Sequence, residues 1–137
     1  MGDVRPLTNQ EILSTIYSEF LLKEKQKCVG MVTSGQVTDQ ACMYRDGDGN
    51  RCFIGYFIPD HEYSPQLENK MLSRKRERYS FFKLAPETKA KLDDGTESRM
   101  AFLSTLQKIH DRTHMLDWYD QLCMLADKYG LEMKPLR

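Results

Sequence analysis

The sequence predicts an α+β fold: a mostly helical single domain in which a β-hairpin, at about residues 41–58, packs against an N-terminal helix and a C-terminal helix pair. Three patterns lead to this prediction. They are an apolar stripe with helical spacing near the N-terminus, two short apolar runs around a Gly- and Asp-rich turn, and a longer helical pattern in the C-terminal third. The 137 residues, 40% of them hydrophobic, fit one globular domain over residues 1–137.

The N-terminal helix is predicted from its cap and its apolar stripe. Thr8 and Glu11 have the spacing of a capping box, in which each side chain accepts a backbone N–H of the other residue. Apolar side chains then recur every three or four residues: Ile12, Leu13, Ile16, Tyr17, Phe20 and Leu21. We therefore predict a helix from about Asn9 to Lys27. The polar segment that follows, around Gly30 and Gly35, shows no period and is predicted to be a loop.

The hairpin is predicted to pair Ala41–Arg45 with Arg51–Ile58 through the turn at Asp46–Asn50. Gly55 in the second strand indicates a bulge or a close approach by another backbone. Asp46, Asp48 and Asn50 also imitate the opening of a calcium loop. Arg51 and Phe57 stand where that loop requires Gly and Glu, so we expect a solvated turn and no calcium.

The C-terminal helix pair is predicted from two apolar stripes separated by a polar corner. Their members are Met100, Leu103, Leu106 and Ile109, then Trp118, Leu122, Leu125 and Tyr129. Thr96 or Ser98 is expected to begin the first helix, and Gly130 to cap the second. Upstream, Ser64–Pro65 is a plausible helix start, and 85–94 is predicted to form a short helix or turn.

The net charge of zero, from 20 basic and 20 acidic residues, argues against a uniformly basic polyanion-binding protein. Between Lys70 and Lys83, however, there are six basic residues and one acidic residue, which gives this segment a local charge of +5. Tyr79, Phe81 and Phe82 lie among these charges. One interpretation is a phosphate-tracking surface with aromatic platforms for unpaired bases; the other is a solvated helix face whose aromatic side chains enter the core.

Catalytic and metal-binding alternatives use the cysteines and histidines. One alternative is a cysteine nucleophile, Cys52, activated by His110 as base. Asp111 or Asp117 would then orient the histidine ring. Zinc would find suitable ligand types in Cys42, Cys52, His110 and His114, although close ligand pairs within the hairpin are missing. Walker-type loops, dinucleotide fingerprints, HExxH and GxSxG motifs are absent from the sequence. We therefore predict no catalytic residue, no metal site and no cofactor.

Two groups of residues resemble a recurring family of small uncharacterised proteins of bacteriophages and bacterial genomes. The first group is Cys42–Arg45, Cys52–Gly55, Ile58–Asp60 and Tyr63, and the second is Leu106–Gln107, His110–Asp111, Trp118, Leu122, Ala126 and Tyr129–Leu131. This resemblance implies a phage-associated accessory protein that binds a host factor, such as a component of a defence system. It implies no catalytic residues.

These observations predict a non-enzymatic interaction protein that covers the working surface of a host or phage protein. The predicted contact residues are Lys70, Arg74, Lys75, Arg76, Arg78 and Tyr79, together with Asp46, Asp48 and Asn50 of the turn. The alternative is a nucleic-acid-binding accessory protein that uses the basic 70–83 segment; a Cys-dependent hydrolase and a zinc-binding protein are minor alternatives. With no apolar stretch approaching ~20 residues and no export signal, we expect no membrane partner and a location in the bacterial cytoplasm.

Overall fold

A computed structural model describes residues 5–23, 29–34, 37–42, 44, 51–68, 70–113 and 115–134. The frame consists of helices α1 (Asn9–Ile16), α2 (Lys75–Leu84), α3 (Pro86–Leu92), α4 (Glu97–Arg112) and α5 (Trp118–Tyr129). Helix α1 continues directly into a π-helical turn at Tyr17–Leu22. Short 3-10 turns occur at Gly55–Phe57, Pro65–Leu67 and Met115–Asp117. Across the described residues, no helix combines the length and apolar character needed to cross a bilayer.

The predicted α+β class is wrong, because the segment expected to form the hairpin folds differently. Cys52, Phe53 and Ile54 are all fully buried, whereas a half-buried strand would turn alternate side chains to opposite faces. The run instead winds into a 3-10 turn at Gly55–Phe57, in which Phe57 N donates to the Ile54 carbonyl at 3.0 Å. Of the predicted pairing, the described residues retain one backbone hydrogen bond, from Cys52 N to the Tyr44 carbonyl at 3.2 Å.

A two-stranded antiparallel ribbon lies instead mostly in the segment predicted to be a loop, and its second strand includes Ala41 and Cys42 of the predicted first hairpin strand. Strand β1 (Val29–Ser34) pairs with strand β2 (Val37–Cys42), with Val29 opposite Cys42 and Ser34 opposite Val37. Most of the core residues whose burial the structure describes lie on the helices and helical turns.

The N-terminal capping box is confirmed, but the helix is shorter than predicted. Thr8 Oγ1 accepts Glu11 N at 3.1 Å, and Glu11 Oε1 accepts Thr8 N at 2.9 Å. Helical backbone ends at Leu22, one residue after the last member of the apolar stripe, and Lys23 has left the helical conformation. The remainder of the predicted helix, residues 24–27, lies outside the described part of the chain.

An aromatic cluster forms the centre of the core. The Phe53 ring lies 4.9 Å from both the Phe20 ring and the Trp118 ring, with edge-to-face geometry in each case. The His110 ring is fully buried beside them and stacks on Trp118 at 5.4 Å. Because these four residues come from the α1 extension, the 53–57 turn region, α4 and α5, the cluster joins the distant parts of the chain.

A buried arginine connects the N-terminal segment to α3 and α4. Arg99, which is 4% exposed, donates to Asn9 Oδ1 at 2.7 Å, to the Leu92 carbonyl at 2.9 Å and to the Leu7 carbonyl. The planar guanidinium can serve three acceptors in fixed directions, which a lysine cannot do. This hydrogen-bonded group fixes the start of α1 against the α3–α4 connection.

The predicted C-terminal helix pair is confirmed. Thr96 caps α4 by accepting Arg99 N at 3.1 Å, and the apolar stripe of α4 is buried. Gly130 ends α5 with a φ of +66°, the left-handed conformation that favours glycine. Ser64–Pro65 begins a 3-10 turn of three residues, not a longer helix.

Candidate partner-binding surface

The basic segment includes the residues that precede α2 and nearly all of α2 itself. Arg74 is the N-cap residue and makes no side-chain capping bond, and Lys75 and Arg76 follow it, exposed, in the first helical turn. Cations at this end of a helix oppose the helix dipole. Glu77 offsets part of that charge through an ion pair with Arg74 at 3.3 Å. The exposed start of α2 is therefore strongly electropositive.

The structure separates the three aromatic residues of this segment. Phe81 and Phe82 are buried, and the Phe81 ring lies 5.0 Å from the Tyr44 ring. Tyr79, on the same helix, is 71% exposed. The interpretation of a solvated face with core aromatics thus holds for the two phenylalanines, and a surface aromatic remains at Tyr79.

Tyr79 lies in an open groove of about 490 Å³ between α2, α3 and the beginning of α4. We call it the α2 groove. Its lining residues are Lys75, Arg78, Tyr79, Phe82, Lys83, Lys89, Asp93 and Glu97. Four of these side chains are basic and two are acidic, so the groove has an excess of positive charge.

Ion pairs neutralise some of the cations in the α2 groove. Arg78 pairs with Glu97 at 3.2 Å, and Lys89 approaches Asp93 at 3.8 Å. Lys75 and Lys83 have no carboxylate partner among the described residues. These two lysines stand four residues before and four residues after Tyr79, which places all three side chains on one face of α2. The exposed ring is therefore flanked by two unpaired ammonium groups.

The other predicted contact residues do not share this groove. Lys70 and Arg74 line a second cleft, on the α4 side of the 68–74 segment, and Arg76 lines neither cavity. The turn residues Asp46, Asp48 and Asn50 lie outside the described part of the chain. The structure therefore brings together Lys75, Arg78 and Tyr79 from the predicted set.

The cysteine and histidine of the catalytic alternative are core residues. Cys52 is fully buried, and its Sγ accepts Gly55 N at 3.1 Å. His110 Nδ1 contacts Asp111 Oδ1 at 2.9 Å, so this predicted pair does form, with the histidine fully buried and the aspartate partly exposed. Asp117 is exposed at the start of α5.

Two of the four zinc ligands considered, His114 and the side chain of Cys42, lie outside the part of the chain that the structure describes. Within the described ranges, no group of three His, Cys, Asp or Glu residues could hold a metal ion.

Sequence reasoning missed the residues that complete the groove from α3 and α4. Lys89 and Asp93 are four residues apart, and this spacing alone indicates a surface ion pair. Glu97 reaches the groove from the first turn of α4 to pair with Arg78. No local signal predicts that contact, because it depends on how the helices pack.

Comparison of the chain with protein-family models, with curated proteins and with solved structures gives no significant match. A function is therefore inferred from the geometry and charge of the described surface.

Proposed function

We propose that this protein is a phage-associated accessory protein that acts in the bacterial cytoplasm by binding an acidic surface of another protein in the α2 groove. The exposure of Tyr79 between the unpaired Lys75 and Lys83 carries this proposal. Tyrosine supplies a large and rigid contact area, and the flanking lysines attract carboxylates. The three residues together have the composition of an interface anchor.

The mixed charge of the groove favours a protein partner over a nucleic acid. Asp93 and Glu97 lie among the cations and would repel a phosphate backbone that passed through the groove. Single-strand-binding surfaces stack successive bases on several aromatic rings. Only Tyr79 among the described aromatic residues of this segment is exposed, since Phe81 and Phe82 are buried.

The mechanism that fits this surface is occlusion. The groove belongs to helices whose other faces are fixed in the core, so the domain presents a preformed surface that covers the partner's working site. Inhibition of a host factor, including a factor of bacterial defence, follows from the resemblance to phage proteins. Binding alone suffices for such an activity, and it requires no catalytic residue.

A salt titration of DNA binding separates this proposal from the nucleic-acid alternative, which would use Arg74, Lys75, Arg76 and Arg78. Labelled single- and double-stranded DNA are titrated with the full chain at about 50 and 150 mM salt. We expect affinity no tighter than the ~10⁻⁴–10⁻⁶ M range of non-specific binding at physiological salt.

Matched variants show whether any DNA affinity involves the groove. A Lys75→Gln/Lys83→Gln variant removes its unpaired charges, and Lys128→Gln removes an exposed charge from α5. The proposal is contradicted if the wild type binds DNA tightly and the slope of log K against log salt concentration becomes shallower by about one to two in Lys75→Gln/Lys83→Gln but not in Lys128→Gln.

A further inference from the structure

Helix α5 presents one of its faces to solvent. Its opposite side is held in the core by Trp118, Leu122, Leu125 and Ala126. The exposed residues recur at three- and four-residue spacing, so they share a face, which we call the α5 face. Its members are Asp117, Asp120, Gln121, Met124, Asp127 and Lys128. Met124, in the middle of this face, is 64% exposed.

The α5 face is acidic. Three aspartates and one lysine give it a charge of −2. None of the three aspartates forms an ion pair with a described residue. Lys128, the basic residue of the face, places its ammonium group 6.0 Å from the centre of the Tyr129 ring. The carboxylates are therefore available to a cationic surface of another molecule.

The charges of the α2 groove have the opposite sign and nearly the same separation. Lys75 and Lys83, the two lysines without a carboxylate partner, lie eight residues apart, which is about 12 Å along α2. Asp120 and Asp127 lie seven residues apart, which is about 10 Å along α5. Two helices laid side by side would thus bring both charge pairs within reach of each other.

The exposed apolar side chains of the two surfaces correspond as well. Tyr79 stands four residues from each lysine of its pair, and Met124 stands four and three residues from the two aspartates. Methionine sulfur makes favourable contacts with aromatic rings. Each surface therefore has one large exposed side chain between two unpaired charges, and the charges are of opposite sign on the two helices.

The α5 face and the α2 groove are separate within one chain, since no α5 residue is among those that line the groove. A second copy of the chain brings them together. We propose that the α5 face of one copy binds the α2 groove of another, with Met124 on Tyr79 and the aspartates on the lysines. The zero net charge of the chain means that no overall repulsion opposes this contact. Because the contact joins two different surfaces, it is heterologous.

Self-association through this contact regulates the α2 groove, and this consequence rests on the proposed function. A copy whose groove holds an α5 face cannot bind the acidic surface of another protein there. The partner must displace the second copy, so self-association and partner binding compete.

Sedimentation equilibrium of the purified full chain tests the contact in the absence of any other protein. We expect the average mass to rise above that of the monomer with a dissociation constant of about 10⁻⁴ M at low salt, because exposed ion pairs each contribute little. The association should weaken by about tenfold at about 0.5 M salt, since salt screens exposed charges. A chain that stays monomeric up to about 1 mM at low salt overturns the proposal.

Two isosteric double variants locate the contact. Lys75→Gln/Lys83→Gln neutralises the groove, and we call it the groove variant. Asp120→Asn/Asp127→Asn neutralises the α5 face, and we call it the α5 variant. Each alone should self-associate at least about tenfold more weakly than the wild type, because one surface of every contact has lost its charge. An equimolar mixture should regain association, because the groove variant keeps the α5 face and the α5 variant keeps the groove.

Two controls separate this contact from effects of net charge. A variant with all four substitutions should associate with neither double variant, because each such mixture lacks one of the two charged surfaces. Glu87→Gln/Glu132→Gln changes the net charge as the α5 variant does, at exposed positions outside both surfaces, and should self-associate like the wild type. The proposal is overturned if either double variant self-associates like the wild type, or if their mixture stays monomeric.

Protein capture from a bacterial lysate distinguishes failure of this proposal from failure of the proposed function. The α5 variant keeps the groove and should retain the captured protein at least as well as the wild type. A chain that is monomeric but captures its partner overturns self-association and leaves the proposed function standing. Loss of the captured protein in the α5 variant would show that this protein, and not a second copy, occupies the α5 face, which also overturns the proposal.

Discussion

Position 55 requires glycine because the backbone of Tyr44 passes directly against it. A Cβ atom at position 55 would lie 2.1 Å from the Tyr44 carbonyl oxygen, far inside any contact that a real side chain makes. The same carbonyl accepts Cys52 N at 3.2 Å, so it cannot withdraw without loss of that hydrogen bond. The glycine in this apolar run therefore marks the close approach of another backbone, which confirms one of the two expectations drawn from the sequence.

Replacement of this glycine should destabilise the protein strongly. We expect Gly55→Ala to lower the free energy of unfolding by about 3 kcal/mol or more, because buried backbone must move to admit the methyl group. Gly95→Ala is the control, since Gly95 has a φ of +84° but no atom within 4 Å of the added Cβ. It should cost about 1 kcal/mol through backbone strain alone. Denaturant unfolding that gives equal losses would contradict the close contact.

Helix α3 obtains its N-terminal cap from a residue distant in sequence. Ala85, at its N-cap, has no side chain to accept the free backbone N–H groups. Glu62 supplies the acceptors instead: one oxygen accepts Glu87 N at 2.7 Å, and the other accepts Thr88 N and the Thr88 hydroxyl, both at 2.9 Å. The 59–63 turn region thereby becomes part of the α3 structure.

This remote cap predicts a pH-dependent stability. Burial raises the pKa of Glu62, but the backbone N–H groups of Glu87 and Thr88 outweigh it and hold the pKa below its ordinary value of 4.5. Because the pKa is lower in the folded state, the stabilisation is complete above the unfolded-state pKa and is lost as the pH falls through the folded-state pKa. Glu62→Ala should therefore destabilise by about 1 kcal/mol at pH 7, and this difference should shrink in acid.

Glu87→Ala is the matched control for the Glu62 prediction. Glu87 is exposed, and among the described residues its side chain pairs only with the exposed His61, so its loss should change the free energy of unfolding little. Unfolding curves for both variants are compared at pH 7 and pH 3. A Glu62→Ala effect of the same size at both pH values would refute the charged cap.

Elements defined by local patterns were predictable from the sequence, and elements decided by distant contacts were not. The capping box of α1 and the stripes of α4 and α5 depend on neighbouring residues alone. The run from Cys52 to Ile58 fits either a buried strand or a buried turn by composition, and the packing of Tyr44 against it selects the turn. The β1–β2 ribbon was missed because its segment shows no clear alternation of apolar and polar residues.

The candidate site shows the same division. The excess of basic residues over 70–83 was evident from the sequence, and so was the presence of aromatic residues among them. The division of these residues between the α2 groove and the second cleft was not evident, because it depends on how the helices pack. Glu97 and Gln107 reach the two cavities from α4, and no pattern within the basic segment predicts either residue.

At the scale of the whole molecule, the core holds the binding surface rigid. Phe81 and Phe82 anchor one face of α2, and the Phe81 ring packs on Tyr44 at 5.0 Å. Tyr79 projects from the same helix into solvent. A preformed surface loses little conformational entropy on binding, which suits a domain that acts by covering its partner. The zero net charge of the chain thus includes a local positive surface.

Quantitative affinity capture tests the central claim that this surface binds a protein. Nuclease-treated bacterial lysate is passed over three immobilised forms: the wild type, Tyr79→Ala/Lys83→Gln, and the control Lys128→Gln. All three should stay folded by circular dichroism, because the substituted side chains are exposed. We predict that the wild type and the control retain the same specific protein in equal amounts. The double variant should retain at least about tenfold less of it. Equal retention by all three forms, or no specific retention by the wild type, would contradict the claim.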